Sequence, residues 1–493
     1  MRLSTITAAL AACVSTAHSF EVPSYTHCPP LGPVLPAPSS LSQNKAVQTA
    51  VAGIKAYFQN NTATLNDTAV SLGAVSLHED TPLLDLHWTP PSRSPESRNK
   101  IDRDTVYRVG SMSKAYTALA VLTLADKIRM TDPVTKYVPE LRDLYKGQKD
   151  KSAVTTVDWD EVTIEALMSH LADIGTQMGL TDLGNQPVDW TRKYGFPPLN
   201  SSEISGCGGW PGMRACTRKD FFAKFGQRHP VYAPFTTPVY ANMGFVILGF
   251  VIESVTNQTY EQYLEQAVLK PLNLTRTGLK PPTDDNVLES IWWGSDLGIE
   301  NPSGGMYAST ADLLAFGSGI LNSRLLTPAQ TRRWLKPLTH TSSLGISVGA
   351  PWEIARAVNV TLDNRTIDIY TKSGNIGAYV GVMVLIPDYD LVLSLVTCGS
   401  QTGFDVVYAG LSKVIKALLP AVEQASKDEA NSTFAGRYQM KGSNTTITIS
   451  VDDDGPGLKV SDWFFDGVSI AEIWPVLSTI RAQPAYSAPI TCA

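Results

Sequence analysis

The sequence lacks an excess of positive charge, and the positive charge that it has is spread along the chain. Its 40 lysine and arginine residues are outnumbered by 46 aspartate and glutamate residues, which gives a net charge of −6. No basic stripe of the kind that follows a phosphate backbone is present. We therefore expect no nucleic acid partner.

Long apolar runs are also missing, except at the amino terminus. Residues 3–17 are uncharged, small and apolar, and Met1-Arg2 precedes them. This segment is too short, and too rich in Ser and Thr, for a membrane anchor. With the small residues around Ser19, it predicts a secretory signal peptide over residues 1–19. We expect a secreted, extracellular protein with no membrane partner after cleavage.

Cysteine and histidine are too few and too scattered to predict a metal site. Six cysteines and seven histidines occur in 493 residues, and no spacing among them matches a zinc ligand set. In an oxidising compartment, Cys207 and Cys216 would close the Gly- and Pro-rich loop between them as a disulfide. Cys398 ends an apolar strand and is interpreted as a buried thiol. We expect no metal and no cofactor.

The sequence is unusually rich in N-glycosylation sequons. Chance would give roughly three or four from this asparagine content. The sequons found begin at Asn60, Asn66, Asn200, Asn257, Asn273, Asn359, Asn364, Asn431 and Asn444. This excess predicts secretion through a glycosylating eukaryotic pathway.

The order of predicted elements indicates an α/β fold. A helix at 41–58 and strands at 70–77 and 83–88 precede a mostly helical middle, and further strands follow from residue 345. We predict an antiparallel sheet flanked by helices, with an inserted all-helical subdomain, over residues 20–425. Composition becomes polar near residue 426, and alternation after it predicts a small β-rich C-terminal domain at 426–493, short enough to be incomplete.

The clearest chemical signal is a serine and a lysine three residues apart. Ser111 follows a β-type segment at 105–109 and a turn glycine, and Lys114 opens an apolar run. On a helix the two side chains would share one face, with Ser111 at the positive amino end. A serine beside an amine can act as a nucleophile in acyl transfer. From this motif alone, a serine that only caps a buried helix is an equal alternative.

Other segments that match nucleophile patterns are rejected. The S-x-x-K spacing recurs at 42–45 and 97–100, in polar surroundings that indicate chance matches. Residues 345–349 match G-x-S-x-G, the nucleophile elbow of α/β-hydrolases. That fold needs a histidine after the serine, and the last histidine of this chain is His340, before Ser347.

Two later motifs add to the chemistry of Ser111. Tyr240-x-Asn242 precedes an apolar helix, and Lys372-Ser373-Gly374 ends a predicted strand with Asn375 next. In order, S-x-x-K, Y-x-N and K-S-G resemble the serine β-lactamase and penicillin-binding protein family. The class C β-lactamase branch, with its related esterases and D-aminopeptidases, is the nearest match.

Further segments fit the same resemblance, which covers roughly residues 40–420. P-S-G-G-M-Y-A-S-T-A-D-L at 302–313, L-M-S-H at 167–170 and P-L-N-L-T-R-T-G at 271–278 are similar to stretches of that family. The segment after residue 426 resembles the domain that follows the catalytic part in some fungal β-lactamase-like proteins. The third motif has serine where β-lactamases commonly have threonine, which keeps the hydroxyl.

The resemblance implies how Ser111 is activated. Its Oγ would attack a carbonyl carbon, and Asn242 would hold Lys114 and a polar group of the substrate. Tyr240 could accept the serine proton as a phenolate, because Lys114 and Lys372 would lower its pKa from ~10. A neutral Lys114 could accept the proton instead, and the sequence leaves both open.

The resemblance also implies where the substrate carbonyl is held. The backbone N–H groups of Ser111 and Asn375 would form an oxyanion hole, beside Ser373 and Gly374. We predict a serine hydrolase that cleaves a small ester, amide, lactam or lactone through acyl-Ser111. An acyltransferase using the same acyl-enzyme is the first alternative, and a catalytically inactive binding protein of this fold is the second.

Overall fold

An eight-stranded antiparallel sheet organises the main part of the chain, with strand order β2-β1-β10-β9-β8-β7-β6-β5. A computed structural model describes residues 32–93, 100–147, 152–179, 186, 188–197, 204–209, 211–283, 290–473 and 481–482. The described strands are β1 (Ala69–Ser76), β2 (Leu84–Trp88), β3 (Val106–Arg108), β4 (Tyr307–Ser309), β5 (Thr339–His340), β6 (Ile346–Val348), β7 (Glu353–Ala357), β8 (Ile367–Ile376), β9 (Tyr379–Ile386), β10 (Leu391–Cys398), β11 (Gly436–Gln439), β12 (Thr446–Ser450), β13 (Leu458–Phe465), β14 (Val468–Ser469) and β15 (Arg481–Ala482). The predicted signal peptide and the Asn200 sequon lie outside the described residues.

Helices cover both faces of this sheet. The described α-helices are α1 (Lys45–Thr62), α2 (Ser113–Leu122), α3 (Pro139–Gly147), α4 (Ile164–Met168), α5 (Val188–Lys193), α6 (Arg218–Lys224), α7 (Asn242–Thr256), α8 (Tyr260–Leu264), α9 (Asn301–Gly304), α10 (Thr310–Leu321), α11 (Pro328–Trp334), α12 (Phe404–Phe434) and α13 (Ile470–Ile473). Among the described residues, no helix is both long and apolar enough to cross a membrane.

The apolar runs of the central strands follow from burial of both sheet faces. In β9, Val382 and Val384 join the core formed with α1 and α12. Met383 and Leu385, which alternate with them, join the core formed with the helical middle. Because successive side chains of a strand point to opposite faces, a strand buried on both sides is apolar throughout. The predicted α/β class, with an antiparallel sheet and helices, is confirmed.

The C-terminal part forms a second sheet. Its strand order is β11-β12-β13-β14, and β15 pairs with β13. Helix α12 reaches Phe434 and therefore crosses the predicted domain boundary at residue 426 without a break. A division at that position stays a prediction, although the β-rich content after it is present.

The cysteines of the described chain match their predicted states. Cys207 and Cys216 form a disulfide, and Cys398 is a buried free thiol at the end of β10. The disulfide loop packs against the segment that leads into α9, since the Ile299 N–H donates to the Cys216 carbonyl at 3.4 Å. The loop is therefore part of the wall behind the site described next.

Candidate active site

Ser111 lies on a tight turn between β3 and α2. The predicted helix start is shifted, because Gly110–Met112 forms a 3-10 turn and α2 begins at Ser113. The Ser113 hydroxyl holds this turn by donating to the Gly110 carbonyl at 2.7 Å and accepting from the Met306 N–H at 3.1 Å. Ser111 remains partly exposed while its neighbours Gly110 and Met112 are buried. The turn thus presents one hydroxyl to the surface of a rigid core.

Lys114 is fully buried and aims its ammonium group at Ser111. The Lys114 Nζ lies 2.9 Å from the Ser111 Oγ, as the three-residue spacing predicts. It also donates to the Asn242 Oδ1 and to the Ser303 carbonyl, each at 2.6 Å. Distances this short are typical of charge-assisted hydrogen bonds. These two acceptors therefore stabilise a protonated Lys114.

Tyr240 stands between two ammonium groups, as the later motifs predict. The Lys114 Nζ lies 5.0 Å from the centre of its ring, and the Lys372 Nζ lies 5.3 Å from it. Tyr240 is 37% exposed, so one side of the ring faces solvent. Three segments far apart in the chain therefore meet around one hydroxyl.

The environment of Tyr240 favours its phenolate. Burial of the hydroxyl end acts to raise the pKa of Tyr240. The charges of Lys114 and Lys372, with hydrogen bonding to Lys114 and Ser111, outweigh burial, so this pKa is below its ordinary value. Burial, together with the charge of Lys372, lowers the pKa of Lys114, while Tyr240 acts against that change. The site is arranged so that a phenol and two amines share protons.

Lys372 is held by a carboxylate that the sequence analysis missed. Glu353 on β7 forms an ion pair with the Lys372 Nζ across the β7–β8 pair. Burial opposes the charge of Lys372, but Glu353 and Tyr240 together raise the pKa of Lys372. The Ser373 hydroxyl donates to the Glu353 Oε2 at 2.8 Å and the Ser373 N–H donates to the same oxygen at 3.1 Å. Ser373, predicted to face the substrate, is engaged by Glu353.

The K-S-G strand passes directly over the serine turn. A Cβ added at Gly374 would lie 2.0 Å from the Val109 carbonyl oxygen and 2.9 Å from the Ser111 nitrogen. A Cβ added at Gly110, whose φ is +51°, would lie 2.8 Å from the Asn375 nitrogen. Both glycines are therefore required by this close approach. The two predicted oxyanion donors, Ser111 and Asn375, lie on backbones that touch.

A polar relay behind Asn242 was also missed. The Asn242 Nδ2 donates to the Gln177 Oε1 at 2.5 Å, and the Gln177 Nε2 donates to the Glu300 Oε2 at 2.7 Å. Glu300 is 2% exposed. Because a carboxylate only accepts, it fixes the orientation of the Gln177 amide, which in turn fixes that of Asn242. No local sequence signal marks Gln177 or Glu300, since Gln177 lies on an irregular segment and Glu300 in a single 3-10 turn.

His170 packs against Tyr240 and holds the backbone on either side of it. Its ring stacks on that of Tyr240 with centres 4.4 Å apart. The His170 carbonyl accepts from the Val239 N–H at 2.8 Å, and its Nδ1 accepts from the Ala241 N–H at 3.1 Å. Burial, with the charges of Lys114 and Lys372, lowers the pKa of His170 well below its usual range. His170 is therefore neutral, with its proton on Nε2.

The rejected nucleophile motif has no comparable surroundings. Ser347 is fully buried in the middle of β6, not on a strand-to-helix turn. Its hydroxyl contacts the His340 Nδ1 at 3.0 Å. A buried serine on a strand cannot reach a substrate carbonyl, so its rejection stands on structural grounds as well.

Comparisons with known proteins identify the family of the chain. Residues 58–414 match the family model described as Beta-lactamase, and residues 426–489 match one described as Beta-lactamase-like-like, C-terminal domain. The chain is 31% identical over 484 residues to a Beta-lactamase-like protein of Arthroderma benhamiae, covering 92% of this chain and 79% of that protein. It is 27% identical over 474 residues to a probable hydrolase of Phoma sp., covering 93% and 76%.

The fold has solved counterparts. The crystal structure of a Beta-lactamase/D-alanine Carboxypeptidase from Yersinia pestis superposes with a TM-score of 0.57 at 15% identity, covering 76% of this chain and 98% of that one. Fold and site together define a serine hydrolase with the β-lactamase/transpeptidase architecture. The chain belongs to the β-lactamase family.

Proposed function

We propose that this protein hydrolyses an ester or amide of a small molecule through an acyl-Ser111 intermediate. One observation carries the proposal: the Lys114 ammonium contacts the Ser111 hydroxyl at 2.9 Å while Tyr240 stands beside both Lys114 and Lys372. A serine hydroxyl needs a base at neutral pH, and this cluster supplies one without a histidine.

In acylation, Tyr240 acts as the base. The phenolate accepts the proton of the Ser111 hydroxyl as the Oγ bonds to the carbonyl carbon of the substrate. The negative charge that develops on the carbonyl oxygen is stabilised by the N–H groups of Ser111 and Asn375. When the tetrahedral intermediate collapses, the bond to the leaving group breaks, and the Tyr240 hydroxyl returns a proton to that group.

Deacylation repeats the same steps with water. Tyr240, again a phenolate, takes a proton from a water molecule, whose oxygen bonds to the acyl carbon. Collapse breaks the bond to the Ser111 Oγ, which recovers the proton from Tyr240, and releases a carboxylic acid. Lys114 stays protonated throughout, which fits its two short hydrogen bonds to acceptor-only oxygens.

We also propose that the protein is secreted and carries N-linked glycans. Every sequon asparagine among the described residues is exposed, which supports this: Asn60, Asn66, Asn257, Asn273, Asn359, Asn364, Asn431 and Asn444. Protein recovered from the culture medium of a eukaryotic host, with and without N-glycosidase, provides the test. Intact mass should fall on deglycosylation, and the N-terminal sequence should begin near residue 20. Unchanged mass and an intact Met1 would contradict both parts.

Active-site labelling tests the catalytic proposal. A fluorophosphonate should add its mass to the Ser111 peptide, and the label should disappear in Ser111→Ala. Ser347→Ala is the matched control and should label like the wild type. Turnover of a panel of neutral ester and amide substrates should yield the free acid even when an alcohol is added. Absence of label on Ser111 with every acylating probe would refute the proposal, and transfer to the added alcohol would refute hydrolysis as the outcome.

A further inference from the structure

The positive charge of Lys372 is balanced by a carboxylate of the protein. Its ammonium group is buried, with 1% of the side chain exposed, and forms an ion pair with Glu353, whose side chain is 35% exposed. The Ser373 hydroxyl also donates to this carboxylate. The two side chains of the K-S-G motif that could hold a substrate anion are therefore both directed at a carboxylate of the protein.

The second cation of the site is balanced as well. Lys114 lies against Tyr240, whose pKa is lowered by the two lysines despite burial. In the protonation state that the proposed function assigns to the site, two ammonium groups face the Tyr240 phenolate and the Glu353 carboxylate. The net charge around the Ser111 hydroxyl is close to zero, so the cluster has no unpaired cation for a negatively charged substrate.

The neighbouring helix supplies no cation either. Helix α12 begins beside Glu353, because the Tyr408 hydroxyl donates to the Glu353 Oε2 at 3.3 Å. Residues 404–411 contain no lysine or arginine but do contain the exposed Asp405. Phe404 and Tyr408, with ring centres 6.2 Å apart, are 42% and 37% exposed. This side of the site therefore presents aromatic surface and negative charge.

The end of β8 beyond the K-S-G motif also presents apolar and aromatic surface. Trp292 covers Gly377, where an added Cβ would lie 2.0 Å from the indole Cδ1, and the adjacent Ile291 is 83% exposed. Arg108 is buried and donates to the carbonyls of Trp292 and Ser295 at 2.8 and 2.7 Å. The Arg108 guanidinium is therefore bonded to backbone carbonyls inside the protein and does not face the cleft.

We propose that Glu353 makes this site selective for substrates without negative charge next to the scissile bond, namely neutral esters or amides with an apolar or aromatic group. This inference rests on the proposed acyl-Ser111 chemistry and assigns its substrate class. A substrate carboxylate that approached Lys372 would meet Glu353 and would lose its hydration without gaining a free partner. A neutral substrate has no such cost.

Matched ester pairs test the selectivity. The p-nitrophenyl monoester of adipic acid is an anion, and p-nitrophenyl methyl adipate is its neutral counterpart, so the pair places charge on the acyl side. Sodium 4-acetoxyphenylacetate and its methyl ester place it on the alcohol side. For each pair, kcat/KM is divided by the rate of hydroxide hydrolysis. In at least one pair, we expect the wild type to prefer the neutral ester by tenfold or more, and 0.5 M salt to reduce that preference.

The variant Glu353→Gln should lower this preference at least fivefold, because it removes the negative charge and keeps the shape. Both esters can lose kcat in this variant, since Glu353 contacts Lys372, but the ratio between them cancels that loss. Tyr408→Phe is the control: it removes a hydrogen-bond donor to the same carboxylate without changing its charge, and the preference should stay as in the wild type.

Two results would overturn the inference: a wild-type ratio near one for both pairs, or an unchanged ratio in Glu353→Gln. Either is distinguishable from failure of the proposed function. If neither ester is hydrolysed and a fluorophosphonate does not label Ser111, the acyl-enzyme chemistry itself is wrong. If Ser111 is labelled and the charged and neutral esters are hydrolysed with equal kcat/KM, only the assignment of substrate class fails.

Discussion

His170 stacks on Tyr240, with ring centres 4.4 Å apart, and its Nδ1 also accepts a hydrogen bond from the N–H of Ala241, the residue after Tyr240. One buried side chain thus sets both the plane of the phenol and the backbone that carries it. The L-M-S-H segment was noted in the sequence as part of a resemblance, but its role as a support for Tyr240 emerges only from the fold.

Folding stability should fall below pH 6.5 because of His170. An unfolded histidine has a pKa near ~6.5, whereas burial lowers the pKa of His170 well below that in the folded state. Below pH 6.5 the unfolded chain therefore binds more protons, and the free energy of unfolding decreases as pH falls. This residue should contribute a slope of up to about 1.4 kcal/mol per pH unit. Denaturant titrations between pH 5 and pH 7.5 measure it.

The variant His170→Asn keeps an acceptor for the Ala241 N–H and removes the titrating ring. It should be less stable at pH 7.5 and show a flatter dependence on pH. His229→Asn, at an exposed histidine, is the control and should retain the wild-type slope. Equal slopes in the wild type and His170→Asn would contradict the buried neutral state of His170.

Removing Lys372 should shift the acid limb of the kcat/KM profile to higher pH. If Tyr240 is the base, kcat/KM falls as pH falls through its pKa, which the two lysines lower against the effect of burial. Lys372→Met removes one of these charges, so the limb should move upward by about one to three pH units. Activity near neutral pH should fall at least tenfold and recover partly in alkali.

A charge change elsewhere should not have this effect. Lys413 is exposed on α12, and Lys413→Met changes the net charge equally without approaching Tyr240. A pH–rate profile for acylation of the neutral p-nitrophenyl ester compares the two variants. If both shift the limb alike, or neither does, Tyr240 is not a base controlled by Lys372.

A methyl group at Gly374 should push β8, which carries Asn375, away from the turn that carries Ser111. The added Cβ would lie 2.0 Å from a backbone carbonyl, that of Val109, which no side-chain movement relieves. Loss of one oxyanion donor costs roughly 10²–10³-fold in kcat, and Gly374→Ala should lose at least that much. In Gly345→Ala the new Cβ meets only the Ser343 Oγ, at 3.9 Å, so this control should keep wild-type kcat. Near-normal kcat in Gly374→Ala would disprove the placement of Asn375.

The parts of this site that sequence could predict are those defined by local spacing. Ser111 and Lys114 share a helical face because they are three residues apart, and this is independent of the rest of the fold. Tyr240 and Lys372 were found through motifs that resemble a family, since no spacing argument links segments more than a hundred residues apart. The sheet was predictable because strands buried on both faces are continuously apolar.

The missed residues act through pairings that depend on the whole fold. Glu353 meets Lys372 only because β7 and β8 are neighbours, with Glu353 opposite Thr371 in register. Gln177 lies in an irregular segment, and Glu300 lies in a single 3-10 turn. In the sequence, Glu353 and Glu300 both look like ordinary surface acids, and burial is the property that distinguishes Glu300.

The buried carboxylate of Glu300 should act on catalysis through the orientation of two amides. Because it only accepts hydrogen bonds, the Gln177 Nε2 faces it and the Gln177 Oε1 faces the Asn242 Nδ2, which leaves the Asn242 oxygen for Lys114. Glu300→Gln allows the Gln177 amide to flip, and Asn242 can then present its NH₂ group to the ammonium. We expect about a tenfold loss of kcat, equivalent to roughly 1.4 kcal/mol in the barrier.

Exchanging Gln177 and Glu300 tests whether Glu300 acts by orienting Asn242 or only through its packing. In the double variant Gln177→Glu/Glu300→Gln, the carboxylate at 177 accepts from the Asn242 Nδ2 and from the new amide at 300, so the Asn242 oxygen again faces Lys114. Activity should recover most of what Glu300→Gln loses, although the packing around both positions has changed. A double variant as slow as the single one, at equal thermal stability, would mean that Glu300 does not orient Asn242.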